Sequence, residues 1–135
     1  MKLGMSGGRT GLSKEAKDIL IKFIKNNKIV QVHHGDCIGS DKEFHDICVS
    51  HNIKTIIHPP DDNKLRSFCK GDVILSAKKY LERNHDIVDE SVMIIAFPST
   101  QTEVLRSGTW STIRYAKKKN KKIFIVYPNG HTETI

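Results

Sequence analysis

Short apolar runs alternate with longer amphipathic stretches along almost the whole chain, and this alternation restricts the fold more than any other feature. The runs at 2–6, 29–33, 53–58, 92–97 and 123–127 read as strands. Ser13 caps a helical pattern to about residue 26, in which Ala16, Ile19, Leu20, Phe23 and Ile24 keep the spacing of a buried stripe. Ser40 and Glu43 have capping-box spacing, which predicts a second helix over 40–50 that buries Phe44, Ile47 and Cys48. A third helix over 80–91 turns Leu81, Ile87 and Val88 inward, and a fourth runs from the Ser107–Thr109 region through Ile113 and Ala116. Such alternation predicts an α/β fold. The expected architecture is a single Rossmann-like domain over 1–130, with a mainly parallel five-stranded sheet in order 3-2-1-4-5 and helices on both faces. Residues 131–135 are expected to form a frayed tail. The stretch 61–79 is polar and irregular with a small strand near 73–75, and a connection so long often covers a ligand.

In that strand order the topological switch lies between the first and fourth strands, where ligands bind outside the strands' carboxyl ends. The loops emerging there are unusual. Gly7, Gly8 and Arg9 follow the first strand, and Arg106, Ser107, Gly108 and Thr109 open the helix after the fourth. The first amides of a helix lack partners within it and face the positive end of its dipole, so an anion is favoured there. Arg106 adds a planar fork, Gly108 admits close approach, and Ser107 or Thr109 can cap the helix or donate to phosphate oxygens. One strand away, Gly35, Asp36, Gly39 and Asp41 mark a further glycine-bearing loop. Asp36 could accept from ribose hydroxyls or orient a neighbouring arginine. Asp41 sits in a first helical turn, where the dipole favours it whatever the function. Arg83 and Asn84 could reach a ligand or belong to a solvated helix surface. Trp110 could stack on a base or pack the helix against the sheet. Each loop taken alone is an ordinary turn; their convergence favours a phosphate-sized site.

The formal charge is +7, which favours anionic partners. Much of it lies in the cluster Lys117, Lys118, Lys119, Lys121 and Lys122 at a helix end, where lysines also suit the dipole and solubility. No aromatic interleaves them as a single-strand stacking surface would require, so nucleic acid is a less favoured partner. Cys37, Cys48 and Cys69 lack CxxC spacing, which points to a reducing, cytoplasmic setting. Neither a membrane span nor a signal peptide is expected. Adjacent histidines on a strand point to opposite faces, so His33 and His34 do not share one ion. The remaining His45, His51 and His58 form no HxxxH or HExxH pair, and neither a metal site nor a cofactor is expected.

SGGRTG after the first strand, HHGDCIGSD after the second, HPP after the third, YLERNHDIVDES before the fourth and RSGTWSTIRYAKK after it resemble the SLOG superfamily. This Rossmann-like group includes DprA, the Lonely Guy phosphoribohydrolases and the YpsA-like proteins. The resemblance runs from about Lys2 to Gly130 and is nearest to a small stand-alone branch without a settled biochemical role. It implies that the glycine loops and Gly108-Thr109 hold the phosphate and ribose of a nucleotide or nucleotide derivative, and that the chain forms homo-oligomers. One departure matters. Where the phosphoribohydrolases resemble PGGxGTxxE, this sequence has Thr112 at the place of the glutamate, and threonine cannot replace a carboxyl group at a ribosyl centre. Catalysis would then fall to Glu103 or Asp36, should either reach the sugar.

Three functions compete on this reading. The first is a binding module for a nucleotide-derived molecule, acting as a sensor, carrier or sequestering protein. The second is an N-glycosidic hydrolase or transferase using Glu103 or Asp36. The third is DprA-like single-strand binding. The missing glutamate and the unpatterned lysines place them in that order.

Overall fold

The computed structural model describes residues 1–135 and places β1 (Lys2–Gly7), α1 (Lys14–Asn26), β2 (Gln31–His34), α2 (Ser40–Ser50), β3 (Lys54–Ile57) and a 3-10 turn (Asn63–Leu65) in succession. β4 (Val73–Ile74), α3 (Tyr80–Asp89), β5 (Met93–Phe97), α4 (Gly108–Lys118), β6 (Lys122–Val126) and β7 (Thr132–Thr134) complete the chain. The sheet has seven strands rather than five, in the order β4-β3-β2-β1-β5-β6-β7. All neighbours are parallel except β6 and β7. The five strands read from the sequence form its contiguous middle, and the two additions are short edge strands.

β7 corrects the expectation of a frayed tail. Its TET sequence is polar because all three residues are exposed, so no hydrophobic pattern announces it. Main-chain bonds hold it instead: Ile123 and Ile135 exchange N–H···O bonds of 3.0 and 2.9 Å, and the Tyr127 amide donates to the His131 carbonyl. Gly130, at φ +89°, closes the intervening turn in a conformation that suits glycine.

β5 shows why the core has two halves. Its residues MIIAF are all buried, as expected of a central parallel strand covered on both faces. Met93, Ile95 and Phe97 join Leu3, Leu20, Val32 and Phe44 on the α1/α2 side. Ile94 and Ala96 join Val88, Trp110, Ile113 and Ile123 on the α3/α4 side. The period-2 alternation of the strand thus divides one run of residues between two helical layers.

The capping box expected at Ser40 does not form. Gly39 is the N-cap at φ +92°, and the Ser40 amide donates to the Gly8 carbonyl at 3.0 Å. Glu43 therefore turns elsewhere: it accepts from the Leu12 amide at 2.6 Å and pairs with Lys17 at 3.2 Å, fastening α2 to the start of α1. A side chain at Gly39 would run into the Arg9 backbone, so the loops after β1 and β2 meet there. No helix is long and apolar enough to cross a membrane.

Candidate functional site

A cleft of about 830 Å³ opens at the carboxyl edge of β1 and β5. Gly7, Gly8 and Arg9 form one wall, and Arg106, Ser107, Gly108 and Thr109 form the other. Ser107 caps α4 by accepting from the Trp110 amide at 3.3 Å, which leaves the helix start directed at the opening. Four further rim residues are not singled out by the sequence, although the 61–79 connection that carries two of them is expected to cover a ligand. Tyr80 rises from the first turn of α3 and lies so close to Gly108 that any side chain at 108 would collide with its hydroxyl. Ser99 lies at the end of β5, and Asp62 and Leu65 approach from the long connection. Tyr80 begins a helix, and its ring is exposed at the rim.

The arginines distinguish this cleft from the rest of the surface. Arg66 donates to Asp36 at 2.8 Å, Arg114 to Glu103 at 2.7 Å, and Arg83 to the carbonyls of Gly35 and His58. Arg9 and Arg106 are exposed, form neither an ion pair nor a side-chain hydrogen bond, and both line the cleft. A second hollow of about 340 Å³ on the α1 side of the same edge shares Ser99 but has no charged residue in its wall.

The remaining sequence candidates lie behind or outside this opening. Gly35, Asp41, Arg83 and Asn84 join Gly7 and Arg9 around a small inner cavity of about 30 Å³. Arg83 and Asn84 are buried, which corrects the picture of a solvated helix surface, and Leu81, expected inward, is exposed. The cue was present: Arg83 and Asn84 precede Ile87 and Val88 by four residues each and share their face. The Arg83 guanidinium fills the space where a Gly35 side chain would begin. Asp41 accepts from the Cys37 amide at 3.1 Å, and burial pushes its carboxyl up to about 6. Gly39 lies against Arg9 and lines neither space.

Asp36 takes the arginine-orienting role. It is fully buried at φ 56°, accepts from Arg66 Nε and, at 2.9 Å, from the Cys69 amide, and its carbonyl accepts from the Ser67 amide. These bonds pin the long connection to the loop after β2. Glu103 is exposed, paired with Arg114, and outside the cleft wall. Neither acid reaches the opening. Thr112 is buried, and its hydroxyl donates back to the Gly108 carbonyl at 3.0 Å. Trp110 packs in the α3/α4 core, with its indole N–H donating to Thr100 at 3.1 Å. The lysine cluster lies at the far end of α4, about 16 Å from its start at the helical rise of 1.5 Å per residue.

No protein-family model, curated protein or solved structure matches this sequence.

The histidines are more organised than their spacing suggests. His33 and His34 do diverge across the sheet, but each meets a histidine from another element. His33 Nδ1 lies 2.8 Å from His58 Nε2, and His34 Nε2 lies 2.9 Å from His45 Nδ1. Burial lowers His33 and His58 to about 4 and His34 to about 3, so these three rings are neutral near pH 7.

Proposed function

We propose that the protein binds a nucleotide or nucleotide-derived small molecule in the cleft between β1 and α4, as a sensor, carrier or sequestering protein. The observation that carries this reading is the placement of the two uncommitted arginines, Arg9 and Arg106, on opposite walls of one cleft at a helix start. A phosphate between them would meet two guanidinium forks and the unpartnered amides at the head of α4. The cleft volume falls in the range that encloses a small organic ligand. The SLOG resemblance supports the same ligand class, with Tyr80 above Gly108 as a platform for the base or sugar.

Binding without turnover is favoured because Asp62 is the sole carboxylate of the cleft wall, and its Oδ1 already caps the Asn63–Leu65 turn. A homo-oligomer belongs to the same reading: Leu81 and Leu105 are exposed beside the cleft and would be covered by a second copy. The test is a thermal-shift panel of nucleotides, with mass spectrometry of each mixture after incubation. A ligand that stabilises the protein and is recovered intact supports binding, and Arg106→Ala should abolish that shift. No shift across the panel with folded protein would sink the proposal. Recovery of free base and sugar phosphate would make the protein an enzyme.

A further inference from the structure

On the face of the sheet that packs α3, three side chains from three elements meet. His33 comes from β2, His58 follows β3, and Glu90 is the C-cap of α3. Glu90 Oε2 lies 3.5 Å from His33 Nδ1 and 3.4 Å from His58 Nε2, and the two nitrogens are 2.8 Å apart. We infer that His33 Nδ1, His58 Nε2 and Glu90 Oε2 form a binding site for a divalent first-row transition-metal ion of the zinc class.

The triangle has the size such an ion requires. The circle through the three atoms has a radius of about 1.9 Å, so an ion about 2.0–2.2 Å from each sits just outside their plane, with the two rings spreading by about 0.5 Å to open a tetrahedral angle. Two imidazole nitrogens and one carboxylate oxygen are a donor set that suits zinc and its neighbours better than calcium or magnesium. Hydrogen bonding alone leaves the triangle unbalanced. Between two neutral rings the short N···N contact holds one proton, which is spent between the two nitrogens, so Glu90 Oε2 beside them has no ring donor of its own. A cation at the centre satisfies all three atoms together.

The surroundings complete the site. Gln31 Nε2 lies 2.9 Å from His33 Nε2. An amide presents an acceptor as readily as a donor in the same outline, so Gln31 can accept the Nε2–H of a ligating ring and hold its orientation. His58 and Glu90 border a hollow of about 320 Å³ that gives an ion its entry path and leaves room for water ligands. That hollow shares no wall residue with the nucleotide cleft, so the inference is independent of the proposed function.

The second histidine pair does not make the same case, although Cys69 lies close to it. Its nitrogens are already bonded in series: the Asp36 amide donates to His34 Nδ1, and His34 Nε2 meets His45 Nδ1.

The experiment is Co²⁺ and Zn²⁺ titration of the tag-free, chelator-washed full chain, read by calorimetry and by the visible ligand-field bands of Co²⁺. One equivalent should bind. Glu90→Gln should weaken it at least about tenfold, His58→Ala about a hundredfold, and Gln31→Leu about tenfold, with His45→Ala unchanged. Glu90 is exposed, so Glu90→Gln leaves the fold intact and decides the matter even if His58→Ala fails to fold. Absence of Co²⁺ binding by folded wild type would overturn the inference. So would unchanged affinity in Glu90→Gln, or binding lost in His45→Ala but kept in His58→Ala.

Discussion

β2 carries two histidines side by side, and the sheet sends them to opposite fates. His34 enters the α2 side and joins a closed series running from the Asp36 amide to His45. His33 enters the α3 side and meets a partner ring and a carboxylate that hydrogen bonds alone do not balance. The residues and the burial are nearly the same. What separates the two pairs is the third group beside them, an exposed carboxylate within 3.5 Å of both rings on one side and a buried thiol on the other.

The largest effect should come from breaking the closed series. His34→Ala removes a fully buried ring and strands both the Asp36 amide and His45, so urea unfolding should show a loss of about 3 kcal/mol. That loss should be the same with and without Zn²⁺. An effect that depended on Zn²⁺ would show that the two faces are not separate. The next effect is on the open side. At a free Zn²⁺ concentration a hundred times its Kd, wild type should gain about 2.7 kcal/mol, and His34→Ala, where it folds, should gain the same amount from its lower baseline.

Asp41 extends the comparison to carboxylates. Asp36 has Arg66 beside it, whereas burial holds Asp41 at about 6, above its ordinary 3.8. Between those values the folded chain keeps a proton that the unfolded chain releases. The contribution of this group to stability is therefore full below about pH 4 and falls as pH rises through about 6. Asp41→Asn should gain on wild type by an amount on the order of 1 kcal/mol between pH 5 and pH 7.5 in paired urea titrations. A constant difference would show that Asp41 is not held protonated. His33, His34 and His58 have the opposite sign. Their folded values lie below 6.5, so metal-free protein should lose stability as pH falls from about 6.5 toward 4. The smallest effect is Glu90→Gln without metal, expected within about 0.5 kcal/mol of wild type because the side chain is half-exposed.

These contrasts also explain what the sequence could convey. The alternation of apolar runs and amphipathic stretches was enough for an α/β sheet with helices on both faces, because burial imposes periods that can be read directly. It could not announce β7, whose TET residues are exposed and held by main-chain bonds that any residues could make. The cleft loops were legible because glycines and arginines mark them locally. The histidine triangle was not, because its members come from three elements and nothing in their spacing brings them together. Arg83 falls between these cases. Its charge suggested solvent, while its four-residue spacing to Ile87 placed it inside.

The two margins of the sheet carry a consequence of their own. On one side it ends in the two residues of β4, and on the other in three polar residues of β7 that run against their neighbour. Both rims are brief; Glu133 and the threonines beside it make the β7 rim polar, while the β4 rim is apolar and leaves Ile74 exposed. Ribbon-like growth from molecule to molecule therefore has only a two-residue and a three-residue strand to build on.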